Sequence, residues 1–167
     1  MLSVYYDTTE IPAAEEEIAQ LRDEYNGIQE GYITIVTDGA CSGNPGPAGY
    51  AGCLIQPNGD TVYIKFFEGK LEGDATNNQA ELQAIGAGCA ELKSPQKVIF
   101  ITDSQYAIGI LTGVYKRKMN LELIEKVEKQ MDTTTTRLWR KVPGHGNCKL
   151  MNIIDKLAVH QAGSKGK

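Results

Sequence analysis

The sequence predicts an α/β fold: a five-stranded mixed sheet, three antiparallel strands then two parallel, with helices on both faces. Three observations predict it. Two apolar runs of strand length end in the same grammar, "YITIVTDG" at 32–39 and "KVIFITDS" at 97–104. Asn58-Gly59, residues that tolerate positive φ, mark a hairpin between two further strands. A small-residue helix separates the third strand from the fourth and permits a right-handed crossover into parallel pairing.

The elements follow in order. A helix is expected from about Ala13 to Tyr25, with Pro12 near its first turn, Gly27 past its end and Ile18, Leu21 and Tyr25 as one packing stripe. Strands are expected at Tyr32–Thr37, Ala48–Gln56 and Thr61–Glu68. The helix from about Asn77 to Leu92 carries Ala80, Ala84 and Ala87, small enough to lie close against a sheet. Lys97–Thr102 is continuously apolar, the mark of a central strand covered on both faces. Short helices follow at Gln105–Thr112 and Leu121–Met131, then a threonine-rich strand in "TTTTRLWRKV" and a last helix from about Leu150 to Gln161.

The 167 residues fit one domain, and 41% hydrophobic with 23% charged residues is an ordinary globular composition. No run approaches the ~20 apolar residues of a membrane span. The acidic start lacks the basic and apolar regions of a signal peptide, so a cytoplasmic location is expected. Cys41, Cys53, Cys89 and Cys148 form no CxxC pair, which favours reduced thiols over a zinc site. The net charge of −4 argues against a nucleic-acid partner until its distribution is read. Residues 1–31 carry −7 and the remainder +3, so the body is mildly basic.

Four acids stand out. Asp38 and Asp103 end the two similar strands; if these are adjacent and parallel, the carboxylates project together at the carboxyl edge, where open α/β sheets bind ligands. Glu81 in "TNNQAEL" and Asp155 in "MNIIDKLA" sit among apolar helix neighbours. Lone buried carboxylates are costly, and no lysine or arginine adjoins Asp38, Glu81 or Asp103 in sequence. Divalent cations would satisfy all four. Singly, each acid also fits a turn, a helix first turn or a solvated surface.

Together, "TDGACSGNPGPAGYAG", "TNNQAEL", "TDSQYAI" and "VPGHGNCKLMNIIDKLA" closely resemble the segments of type 1 ribonuclease H, over about four-fifths of the chain. The resemblance implies a ribonuclease H-like fold and an endonuclease that cuts the RNA strand of RNA/DNA hybrids, leaving 5′-phosphate and 3′-hydroxyl ends. It implies a catalytic domain over 32–163, preceded by an acidic helix or arm at 1–31 and followed by a short basic tail at 164–167. By position, Asp38, Glu81, Asp103 and Asp155 match the family's metal-binding acids, and His145 matches a mobile histidine near the site. Asp38 would bridge two Mg²⁺ ions, Glu81 and Asp103 would hold the one nearer the attacking water, and Asp155 the one nearer the leaving group; Mn²⁺ is a possible substitute. Asn44, Asn77 and Gln105 match residues that touch the hybrid, Thr76 and Ser104 would help hold phosphate or sugar, and Gly39 and Cys41 belong to the glycine-rich turn. That turn would let main chain approach the minor groove and read 2′-hydroxyls. The expected partner is the hybrid, with no membrane and no obligate protein partner, and the expected state a monomer.

The chain departs from the pattern in four places. "GVYKRKMN", with Lys116, Arg117 and Lys118, replaces a long basic protrusion. Met151 stands where an asparagine usually follows the histidine by six residues. Asp74 replaces an arginine that often precedes "TNN". The first 31 residues match no family core, and their charge would repel a nucleic acid, so they read as a packing helix or arm. A non-catalytic hybrid-binding module and another nuclease of the same fold, such as a reverse-transcriptase domain or junction resolvase, are the competing readings.

Overall fold

The computed structural model describes residues 3–6, 15–143 and 147–163. Its elements are β1 (Ser3–Tyr6), α1 (Glu15–Asp23), β2 (Tyr32–Cys41), β3 (Gly46–Asn58), β4 (Thr61–Ala75), α2 (Asn77–Ala90), β5 (Gln96–Thr102), α3 (Gln105–Leu111), α4 (Leu121–Gln130), a 3₁₀ turn at Met131–Thr133, β6 (Thr134–Lys141) and α5 (Lys149–Ala162). The sheet order is β1-β4-β3-β2-β5-β6. β2, β3 and β4 pair antiparallel, while β5 runs parallel to β2 and β6 parallel to β5. These are the five strands expected, in the arrangement expected. β1 adds a four-residue edge strand parallel to β4, where the sequence predicts only an acidic helix or arm.

The alternation along β2 and β5 builds a core on each face. Val36, Ile99 and Ile101 point to one side, where Ile18 and Leu21 of α1 and Leu150, Met151, Ile154 and Ala158 of α5 close over them. Ile33, Ile35, Val98 and Phe100 point to the other, against Leu82, Ile85 and Cys89 of α2, with Ile110, Ile124 and Val127 from α3 and α4. Phe100 stacks on Trp139 of β6 with ring centroids 4.5 Å apart. Ile18 and Leu21 are almost wholly buried, so α1 packs into the body as the stripe predicts.

Two strands outrun their apolar signals. β2 continues through Asp38 to Cys41, so Asp38 does not end it, contrary to the sequence reading. Pairing with β5 stops at Val36↔Ile101, but pairing with β3 persists to Cys41↔Ala48. The extra residues are held by backbone ladder bonds to one neighbour and need no apolar pattern. β4 likewise continues through "GKLEGDA" to Ala75 on its ladder with β3. Among the described residues, no helix is long and apolar enough to cross a membrane.

Candidate active site

Strand register delivers the first two acids. Val36 pairs with Ile101 across the parallel β2–β5 ladder. Asp38 and Asp103 are each two residues further on, so they occupy equivalent positions where the strands part. Asp38 is 3% exposed, and its Oδ1 accepts a hydrogen bond from the Gly39 amide at 3.0 Å.

Glu81 comes from the first turns of α2. Thr76 starts this helix with a full capping box: its hydroxyl accepts from the Gln79 amide at 3.2 Å, and the Gln79 side chain accepts from the Thr76 amide at 2.9 Å. The helix then rests directly on β2 at Gly39. A Cβ there would stand 2.6 Å from the Ala80 carbonyl carbon and 2.7 Å from the Glu81 nitrogen, both rigid backbone. Any side chain would lift α2 and carry Glu81 away from Asp38. Gly39→Ala is therefore expected to cost about 1–3 kcal/mol of stability and to lose more activity than the thermal melt accounts for. Assaying cleavage well below the melting temperature checks this; wild-type activity there would refute the close-packing argument.

One carboxylate oxygen each from Asp38, Glu81 and Asp103 lie within 4.8 Å of one another. Burial first, then the charge of Asp103 and the neighbouring Asp155, pushes the Asp38 carboxyl up to about 8. Burial ahead of the Asp38 and Asp103 charges holds Glu81 well above the usual carboxylate range. No lysine or arginine figures among the groups acting on either. The Glu81 Oε1 is enclosed without a hydrogen-bond partner.

A divalent cation fits these residues. Every donor is a hard oxygen, and oxygens bound at ~2.1 Å to one Mg²⁺ stand up to about 4.2 Å apart. The cluster reaches that spacing with sub-ångström shifts, and the orphaned Glu81 oxygen gains a partner. Asp155 is not one of the three acids within 4.8 Å of one another. The sequence predicts an acid on a buried helix face, but it is exposed beside buried Ile154, at the rim of the stripe formed by Leu150, Met151, Ile154 and Ala158. From the rim it still lies close enough to Asp38 to raise that carboxyl.

The residues expected to meet substrate divide into two groups. Asn44 and Asn77 are exposed and joined, the Asn77 amide donating to Asn44 Oδ1 at 2.9 Å, which ties the glycine-rich turn to the start of α2. Gln105 is exposed at the start of α3. Thr76 and Ser104 spend their hydroxyls as helix caps, Ser104 accepting from the Ala107 amide at 3.0 Å. The Cys41 thiol turns inward onto the Ala75 carbonyl at 2.9 Å. His145 lies outside the described residues. In the loop between α3 and α4, Arg117 is committed to Glu128 through two bonds of 2.9 and 2.7 Å, leaving exposed Lys116 and Lys118 as the loop's cations outside that ion pair. Two polar residues escaped sequence reasoning: Gln79, which donates to Asn120 Oδ1 at 2.9 Å, and Gln20, which grips the start of α5. Gln79 was detectable as the last residue of a T-x-x-Q capping signal; nothing in the sequence marks Gln20.

An all-oxygen cluster at the carboxyl edge of this mixed sheet, beside a glycine-rich turn and two exposed asparagines, defines the class as metal-dependent nucleases. Comparison with known proteins agrees. The RNase H family model matches residues 30–163. The chain is 35% identical over 147 residues to a Ribonuclease H of Thermoanaerobacter sp. (strain X514), covering 77% of this chain and 88% of the relative. It is 32% identical over 149 residues to a Ribonuclease H of Acetivibrio thermocellus, covering 81% and 97%. The crystal structure of LC11-RNase H1 in complex with an RNA/DNA hybrid superposes with a TM-score of 0.63 at 26% identity, covering 79% of this chain and 99% of that one. The N-terminal RNase H domain of a Mycobacterium tuberculosis protein gives 0.67 at 25%, covering 81% and 96%. The chain belongs to the RNase H family, metal-dependent endonucleases that hydrolyse the RNA strand of RNA/DNA hybrids.

Proposed function

We propose that this chain cleaves the RNA strand of RNA/DNA hybrids with two Mg²⁺ ions held by Asp38, Glu81, Asp103 and Asp155. The observation that carries the reading is the convergence of Asp38, Glu81 and Asp103 with no lysine or arginine among the groups acting on Asp38 and Glu81. When bound, a pair of divalent ions activates the attacking water and compensates charge on the phosphate and the leaving oxygen.

The protein's own part is placement. Asp38, fixed in a strand and oriented by the Gly39 amide, would contribute to holding both ions. Glu81 and Asp103 would hold the ion nearer the attacking water. Asp155, at the exposed rim, would help hold the ion nearer the leaving group. Asn44 and Asn77 present amides to the hybrid, Gln105 adds a third, and the glycine-rich turn brings backbone toward the 2′-hydroxyls. His145 is assigned proton transfer on its place in the motif. Lys116 and Lys118 supply modest phosphate attraction, so few counterions are released at this loop and its own contribution to the salt dependence is small. We assign residues 1–31 to a supporting segment, 32–163 to catalysis and 164–167 to a basic tail. We also assign a monomer, and a cytoplasmic location that fits the four free cysteines of a reducing compartment.

The test is cleavage of end-labelled duplexes with and without divalent metal. Expected is metal-dependent cutting of RNA in the hybrid, with 5′-phosphate ends, and none of double-stranded RNA or branched DNA. Binding of the hybrid without turnover would favour a non-catalytic module and defeat the proposal.

A further inference from the structure

α5 carries Asp155, yet its beginning lacks a strong cap of its own. Cys148 at the N-cap position offers only a sulfur, a weak acceptor facing the Leu150 and Met151 amides, and the first turn contains no acidic residue. The missing partner comes from α1. Gln20 Oε1 accepts from the Lys149 amide at 2.9 Å, and Gln20 Nε2 donates to the Asn147 carbonyl at 2.6 Å. One side-chain amide thus grips the backbone on both sides of Cys148, and a further bond from Nε2 to Glu24 Oε1, at 3.2 Å, fixes which way it faces.

α1 is rigid enough to act as a bracket. Ile18 and Leu21 are buried in the same cluster as Leu150, Met151 and Ile154. Just past its C-terminal end, the Thr34 hydroxyl donates to the Gly27 carbonyl, and Arg140 Nε donates to the Asn26 carbonyl at 3.1 Å. The ion pair between Lys149 and Glu16, 3.5 Å apart and well exposed, adds little. α1 precedes the residues matched by the family model. Met151, in the first turn of α5, is buried in the core and fixes nothing by hydrogen bonding through its side chain.

We propose that Gln20 is a positioning residue: by capping α5 from outside, it sets where Asp155 meets Asp38. The proposal rests on reading Asp155 as a site acid. Apolar contacts along α5 are non-directional and tolerate sliding and rotation. Hydrogen bonds at its first residue fix both. Asp155 lies six residues beyond Lys149, about 9 Å along the axis at ~1.5 Å per residue, so slack at the start is carried to the carboxylate.

The experiment compares Gln20→Ala, Gln20→Ala with Cys148→Ser, and Asp155→Asn in the full chain. For Gln20→Ala, kcat on hybrid should fall roughly tenfold with KM little changed, since ångström misplacement of a catalytic group costs up to about 10²-fold. Calorimetric titration of the substrate-free protein with Mg²⁺ should show weakened binding. Hydrogen exchange should quicken at the Lys149 amide while β2 and β5 amides keep their protection. Adding Cys148→Ser supplies a cap from the helix's own N-cap position and should recover most of the loss. Wild-type kcat and Mg²⁺ affinity in Gln20→Ala overturns the proposal, as does faster exchange spread across the whole sheet. If Asp155→Asn itself retains activity, the underlying reading of Asp155 is what fails; if it loses activity while Gln20→Ala does not, the brace alone fails.

Discussion

Asp38→Asn should abolish hybrid cleavage and at the same time make the metal-free protein more stable. The amide is isosteric and keeps an oxygen for the Gly39 N–H, so the fold has no reason to change. What disappears is the charge central to the cluster. Removing a central metal-binding acid is expected to lower kcat by roughly 10³-fold or more, about 4 kcal/mol of transition-state stabilisation. The stability gain follows from the carboxyl being pushed up to about 8 by burial and by Asp103 and Asp155. At pH 9 the wild-type side chain is ionised in a place that resists ionisation. The variant escapes that penalty, and a gain of about 2–4 kcal/mol, roughly 5–12 °C in Tm, is expected. Thermal melts in chelator and a cleavage assay in Mg²⁺ check the two halves. A variant that still cuts, or one that melts earlier than wild type at pH 9, contradicts the account.

The second large effect is a metal-dependent stabilisation that grows with pH. The Asp38 carboxyl is raised in the folded state above its unfolded value near 3.9. The folded protein therefore binds more protons than the unfolded chain between about pH 4 and pH 8, so this group's contribution is full below pH 4 and is lost as pH climbs through 8. Glu81 is shifted in the same direction. Metal-free stability is expected to decline across that window. A divalent ion competes with those protons, so its apparent affinity should rise over the same interval. At tenfold excess over Kd, one ion contributes about 1.4 kcal/mol. Melts in Mg²⁺ against chelator at pH 5 and pH 8 should show a shift at the higher pH and almost none at the lower. An equal shift at both values would mean that the ion binds elsewhere.

Much of this architecture is legible in the chain because apolar runs and turn chemistry are local. The β2 and β5 cores, the Asn58-Gly59 hairpin and the small-residue face of α2 all announce themselves within a few residues. The matching "TD" endings led directly to the pairing of Asp38 with Asp103. What escaped notice depends on contacts distant in sequence. β2 runs on past Asp38 because β3 offers a backbone partner, which no side chain signals. β1 is four residues that pair with the edge of β4. Asp155 looked buried because its neighbours are apolar, but the helical stripe passes just beside it. Nothing in the sequence marks Gln20, because its partners lie 127 and 129 positions away. Arg117 read as free positive charge, and only the fold brings Glu128 within its reach.

The equivalence of Asp38 and Asp103 across one parallel ladder makes hydrolysis a reporter of assembly. In a strand, successive side chains face opposite sides, so a one-residue slip of β2 against β5 would turn one acid away from the other. A chain with most of its helices formed but this seam unzipped would be inert. Activity regained during refolding from denaturant should therefore time the closing of that central seam, lagging any optical signal that follows helix content alone.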